Sequence, residues 1–246
     1  MHPDFRLSAH ERAILTMMVD LCNSSRSLPI LANMQSVKEL ERHRSPGSRP
    51  APLAIHGKTL WTGSWDTDHL YAIDPQTWRV VEEVAAPGKP YGLTALGDEL
   101  RVVVSIGEED DRYLYRFVPG QGFDSESKTA CPDFTGSHLA SDGTTLYLGQ
   151  MGNRRILALG ANGSILREIA LPTRCGGMGF RASTFYIISA DEEFENLQLA
   201  TLDLQVSNPA LAPVAAIPFD ARSLAFDGNA WWTSHREASE IVSFAV

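Results

Sequence analysis

The chain has 246 residues, 43% hydrophobic and 21% charged, which suits one sizeable globular domain or a domain with an appendage. Its formal net charge of -9 argues against nucleic-acid and anionic-membrane partners, because both reward positive charge. Three widely spaced cysteines with no Cys-x-x-Cys pair argue against a disulfide framework or a zinc knuckle, and no apolar run reaches the ~18 residues of a membrane span.

The first element predicted is a helix over residues 9–22. Ser8 and Glu11 have capping-box spacing, and Ile14, Met17, Met18, Leu21 and Cys22 recur on one face. Asn23-Ser24-Ser25 ends it. Residues 1–27 therefore form a helical appendage, packed against the rest of the chain or available for self-association. The apolar stretch 13–19 has charged flanks and no small-residue cleavage site after it, so no secretory signal is read and the expected compartment is the cytoplasm.

Residues 28–246 are expected to form one domain. Five copies of a short pattern follow at a spacing of about 40 residues, the mark of a repeat architecture. They are Pro52-Leu53-Ala54, Gly92-Leu93-Thr94, His138-Leu139-Ala140, Gly177-Met178-Gly179 and Ser223-Leu224-Ala225. A second strand follows each copy, from Leu60, Leu100, Leu146, Phe185 and Trp231. Short strands at this period predict an all-β, five-bladed β-propeller with four-stranded blades. Asp74-Pro75-Gln76-Thr77 and Asn162-Gly163 are turn sequences between third and fourth strands. The longer second and fourth repeats place extra loop residues at 107–112, 119–127, 190–196 and 206–213. The last repeat supplies only three strands. Val37-Lys38-Glu39-Leu40-Glu41-Arg42 matches the outer strand of the first repeat, Val80-Val81-Glu82-Glu83-Val84-Ala85. The segment near 37–42 is thus expected to close the ring as the missing outer strand, since an open blade leaves backbone groups unpaired.

The unit Gly57-Lys58-Thr59-Leu60-Trp61-Thr62-Gly63-Ser64-Trp65, followed by Leu70-Tyr71-Ala72-Ile73-Asp74-Pro75, resembles the blade of a large propeller superfamily. It includes gluconolactonase-like and strictosidine synthase-like enzymes, virginiamycin B lyase and glutamine cyclotransferase. The resemblance extends from Val37 to Val246 and implies fold more than function. Five blades is the count of the glutamine cyclotransferases. Their Phe-Thr-Gln-Gly-Leu motif is partly echoed by Tyr91-Gly92-Leu93, and their Tyr-Glu-Ser-Thr-Gly motif has no counterpart. The gluconolactonase-like enzymes hold a divalent metal with a first-blade Glu. Here that entrance reads Ala51-Pro52-Leu53, so the resemblance implies no such metal.

Two columns of the repeat point to a site. The residue before the Leu or Met is Pro52, Gly92, His138, Gly177 or Ser223. His138 alone is large, and it either points into the channel mouth for acid–base work or is a core histidine bonded to a neighbouring blade. The exits of the second strands bring Trp65, Gln150, Asp191 and His235 to the same mouth. His235 and Asp191 come from adjacent blades, as a carboxylate–imidazole pair would. Glu108 belongs to an acidic loop on that face. The candidate catalytic set is His138, His235, Asp191 and Glu108. Tyr91, Trp65, Gln150 and Arg222 are candidate ligand contacts, although Arg222 could instead pair with Asp220. The acidic runs lack calcium-loop spacing, and no nucleophile elbow, phosphate loop or Rossmann fingerprint occurs. Two functions follow. One is a metal-independent enzyme working on a polar or anionic small molecule by cyclisation, elimination, isomerisation or hydrolysis. The other is a non-catalytic propeller binding a partner or ligand. A concave pocket of convergent polar groups separates the first from the second.

Overall fold

The structure, a computed structural model, describes residues 34–160 and 162–246. The helix expected over residues 9–22 lies outside the described residues. The chain divides into two units, Met1–Met34 and Gln35–Val246, and the second is the propeller. Among the described residues no helix is long and apolar enough to cross a membrane.

After β1 (Lys38–Arg44), the first blade is β2 (Pro50–His56), β3 (Thr59–Ser64), β4 (His69–Asp74) and β5 (Arg79–Ala85). The second is β6 (Lys89–Leu96), β7 (Glu99–Ile106), β8 (Asp111–Val118) and β9 (Gly122–Ala130), and the third is β10 (His138–Ser141), β11 (Leu146–Gln150), β12 (Arg155–Leu159) and β13 (Ile165–Ala170). The fourth is β14 (Arg174–Arg181), β15 (Thr184–Ala190), β16 (Leu197–Thr201) and β17 (Ala212–Ile217). The last contributes β18 (Ala225–Phe226), β19 (Trp231–His235) and β20 (Glu240–Ala245), and β1 pairs antiparallel with β20 as its outer strand. The ring is closed as the outer-strand match to residues 80–85 predicts. Residues 119–127 differ from expectation. Most of them extend the β8–β9 hairpin, with only Pro119–Gln121 left as its turn.

Five hydrophobic cores hold the ring, one at each contact between neighbouring blades. Side chains alternate across a strand, so consecutive residues of an inner strand face opposite neighbours. Each Leu or Met of the repeat faces the preceding blade. Leu53 packs with Trp232 and Ile241, Leu139 with Val103, and Met178 with Tyr147. The following small residue faces the next blade, as Ala54 does in the core that holds Leu93 and Val102.

The position before the Leu or Met is pressed against the next inner strand. A Cβ on Gly177 would stand 2.6 Å from the Ser223 carbonyl carbon, and one on Gly92 would stand 3.1 Å from that of His138. Gly177→Ala must push two backbones apart, so we expect a loss of about 1–3 kcal/mol. A calorimetric midpoint equal to wild type would show that the inner strands separate freely at this level.

Candidate functional site

Each inner strand begins at the end of the ring where the second strand of its blade finishes. His138 pairs with Gly149 one residue before Gln150, and His235 ends β19. The connections between blades and the turns between second and third strands therefore gather at one mouth.

At this mouth cations and rings from four blades are stacked together. The Trp65 and Tyr91 ring centroids are 4.5 Å apart, and the Trp65 indole N–H donates to the Pro90 carbonyl at 2.8 Å. The Arg236 guanidinium lies 3.8 Å from the centre of the Trp65 ring, and that of Arg112 lies 3.3 Å from the centre of Tyr91. Arg222 covers Phe194 at 4.3 Å, and Arg49 stands 5.4 Å from Trp65. A guanidinium stacked on a ring keeps its in-plane N–H groups free for a carboxylate or phosphate.

Three carboxylates answer part of this charge, and Asp66 lies 3.6 Å from Arg49. Asp110 pairs with Arg112 and accepts from the Ser105 hydroxyl. Burial raises its carboxyl, but those two bonds outweigh burial and hold it below the ordinary range. Asp220 accepts from Arg222 Nε at 2.5 Å and from the Arg236 backbone N–H at 3.2 Å. The Arg236 guanidinium has no carboxylate within ion-pair distance among the described residues, and its Nε is buried without a partner. Burial, then repulsion from Arg222, lowers Arg236 to about 10 against the partial attraction of Asp220, so it stays cationic at neutral pH.

His138 is 9% exposed, and its Nε2 has no partner. Burial, then the charge of Arg236, pushes the imidazole down to about 3. A bond to the Cys175 backbone opposes this, and Arg222 and Arg112 add to it. The resting imidazole is neutral. It lines a narrow hollow on the axis with Tyr91, Ser223 and the five Leu and Met side chains. The same five side chains border an axial cavity of about 150 Å³ lined also by Ile55, Phe180 and Phe226, and so form a collar between the two spaces.

His235 accepts from the Ala238 N–H at 3.4 Å, and its Nδ1 is 4.0 Å from Asp220, so the carboxylate beside it is Asp220 and not Asp191. Asp191 accepts from the Glu195 and Asn196 backbone N–H groups and from the Asn196 side chain, which closes its own loop. Glu108 is exposed in the β7–β8 turn. Gln150 is fully buried and donates to the Pro132 and Thr135 carbonyls, tying down the short 3₁₀ turn Pro132–Phe134. Ser64 and Ser189, at the register of Gln150, bond to the Ser48 carbonyl and the Thr173 hydroxyl, while Ser105 donates to Asp110 in its own turn and Ser234 to the Ala51 carbonyl of β2. The polar residues of this column thus bond within the protein, and the ring-stacked arginines carry the positive charge of the mouth. Repeat spacing alone does not mark Arg236, Arg112, Asp110, Asp220 or Phe194 as site residues. Arg236 follows His235 directly, and Arg112 ends the acidic run that holds Glu108.

No family model and no curated protein matches the sequence. Solved structures share the fold. A glutaminyl cyclase from Myxococcus xanthus aligns with a TM-score of 0.66 at 10% identity, over 86% of this chain and 96% of that one. An aldose sugar dehydrogenase from Streptomyces coelicolor gives 0.58 at 13% identity, over 85% and 97%. A virginiamycin B lyase from Staphylococcus aureus gives 0.50 at 14% identity, over 82% of each. Enzymes are among the relatives by fold, and at these identities the likeness is one of fold alone.

Proposed function

We propose that the protein is a small-molecule enzyme that binds an anionic metabolite at this mouth and acts on it by acid–base chemistry. One observation carries the reading. A half-buried arginine, its Nε shut away from solvent and without a partner, lies over Trp65 with no carboxylate in ion-pair distance among the described residues, within electrostatic range of a buried imidazole whose Nε2 is free. Desolvating an uncompensated cation costs several kcal/mol in a folded protein, and a bound anion recovers that cost. In this reading Arg236 anchors the anion, Arg222 assists, and Trp65 and Tyr91 form the wall. His138 handles the proton. An anion at Arg236 offsets the repulsion that the guanidinium exerts on the imidazole, so the substrate itself raises the proton affinity of its base. His235, beside Asp220, is the second proton carrier. Cyclisation, elimination, isomerisation and hydrolysis all lie within reach of such a set.

The reading is metal-independent. The first-blade entrance offers no carboxylate, and no three His, Cys, Asp or Glu side chains gather at one point among the described residues. Exhaustive chelation is therefore expected to leave turnover unchanged.

Arg236→Met tests the anchor. It keeps contact with Trp65 and removes the uncompensated charge. The empty protein should melt a few degrees higher, at about 2–4 °C per kcal/mol for a chain of this size. Anionic ligands should no longer raise that midpoint. A variant that melts lower and still binds anions would show that Arg236 is structural.

A further inference from the structure

Three guanidiniums, Arg49, Arg112 and Arg236, lie on the Trp65–Tyr91 pair, a fourth, Arg222, lies on Phe194 and repels Arg236, and three of the four have a carboxylate. Asp66 lies 3.6 Å from Arg49, Asp110 pairs with Arg112, and Asp220 is 2.5 Å from Arg222. Arg236 is left over among the described residues. Lys89, which also acts on Asp110, is exposed and screened by solvent. The mouth therefore carries one uncompensated positive charge beside a neutral imidazole.

We infer that the mouth takes a ligand group bearing a single negative charge, a carboxylate, and that Asp110 and Asp220 set that limit by neutralising Arg112 and Arg222. This rests on the anion-binding reading above. The first negative charge meets Arg236. A second, on the same group or on one a few ångströms away, finds no free cation and approaches two carboxylates, and like charges in a partly desolvated site repel strongly. The carboxylates thus work as a charge filter. Both stand beside an arginine that would otherwise serve a dianion, and each has a further bond that fixes it: Ser105 to Asp110, and the Arg236 backbone N–H to Asp220.

The test is a titration of the whole protein with lactate, malonate and inorganic phosphate at pH 8 and fixed ionic strength. It is followed by the tryptophan indole N–H resonances, because Trp65 lies against Arg236. Wild type should bind lactate more tightly than either dianion. Asp220→Asn keeps the shape and the backbone bond but releases Arg222, and should raise the ratio of dianion to monoanion affinity about tenfold, the scale of a close charge pair. Asp110→Asn releases Arg112 and should act in the same direction. It serves as the second reading if Asp220→Asn fails to fold. Tighter malonate or phosphate binding by wild type, or an unchanged ratio in both variants, would overturn the charge filter while leaving the anion site standing. No binding of any of the three would overturn the anion site as well.

Discussion

A chain that begins at Ser45 is expected to lose its cooperative fold and not merely fray at its start. Removing residues 1–44 takes away β1, which pairs with β20 from Lys38↔Ala245 to Arg44↔Glu240. It also takes contacts with two other blades. Val37 N–H donates to Ala216 O at 2.9 Å on the fourth blade, and Val37 is buried in the core between the fourth and fifth. Arg44 accepts from the Trp78 indole of the first blade at 2.9 Å, and His43 stacks on the same ring at 4.0 Å. At about 1 kcal/mol net per hydrogen bond, the lost ladder alone is worth roughly 5 kcal/mol, comparable with the whole stability of many domains. The exposed edge of β20 would also invite aggregation. Calorimetry should show no cooperative transition near the wild-type midpoint. A truncated protein that melts with the full chain would contradict the closure.

The second large effect concerns His138. Its replacement by Ala should lower turnover about 100-fold or more, the usual worth of a positioned acid or base. The same residue should make the fold acid-sensitive. Burial and Arg236 hold the folded imidazole near 3, against 6.5 when unperturbed. Between those values the unfolded chain binds the extra proton. The stability gained by keeping His138 neutral is therefore complete above about pH 6.5, falls as the pH falls, and is gone near pH 3. The loss is on the order of a few kcal/mol. His138→Gln removes this contribution, so its midpoint should fall less steeply than wild type between pH 6.5 and 4. Parallel curves together with wild-type turnover in His138→Ala would remove both roles.

The ring is legible because strand alternation and blade repetition are backbone rules. Leu53, Leu93, Leu139, Met178 and Leu224 mark every inner strand, and the likeness of residues 37–42 to 80–85 marks the closing strand. The site is legible only to the level of the mouth. Register sets the height of a side chain along the axis and says nothing of the partner it finds. Gln150 turns under a connector, and Asp191 turns back on its own loop. Asp220 comes from the link between the fourth and fifth blades, outside any repeated column, and reaches His235 and Arg222 through the course of that link. The arginines escape for a related reason. Stacking on Trp65, Tyr91 and Phe194 joins residues far apart in the sequence that share no spacing.

The measurement closest to the central claim is a thermal-shift screen of small metabolites grouped by charge, run in parallel on wild type and Arg236→Met. A ligand at a hundredfold excess over its Kd adds about 2.7 kcal/mol, well within detection. We predict that the compounds raising the wild-type midpoint are carboxylates, and that they lose their effect in Arg236→Met. Stabilisation by neutral or cationic compounds alone, or by the same anions in both proteins, would contradict an anion site at Arg236 and the function built on it.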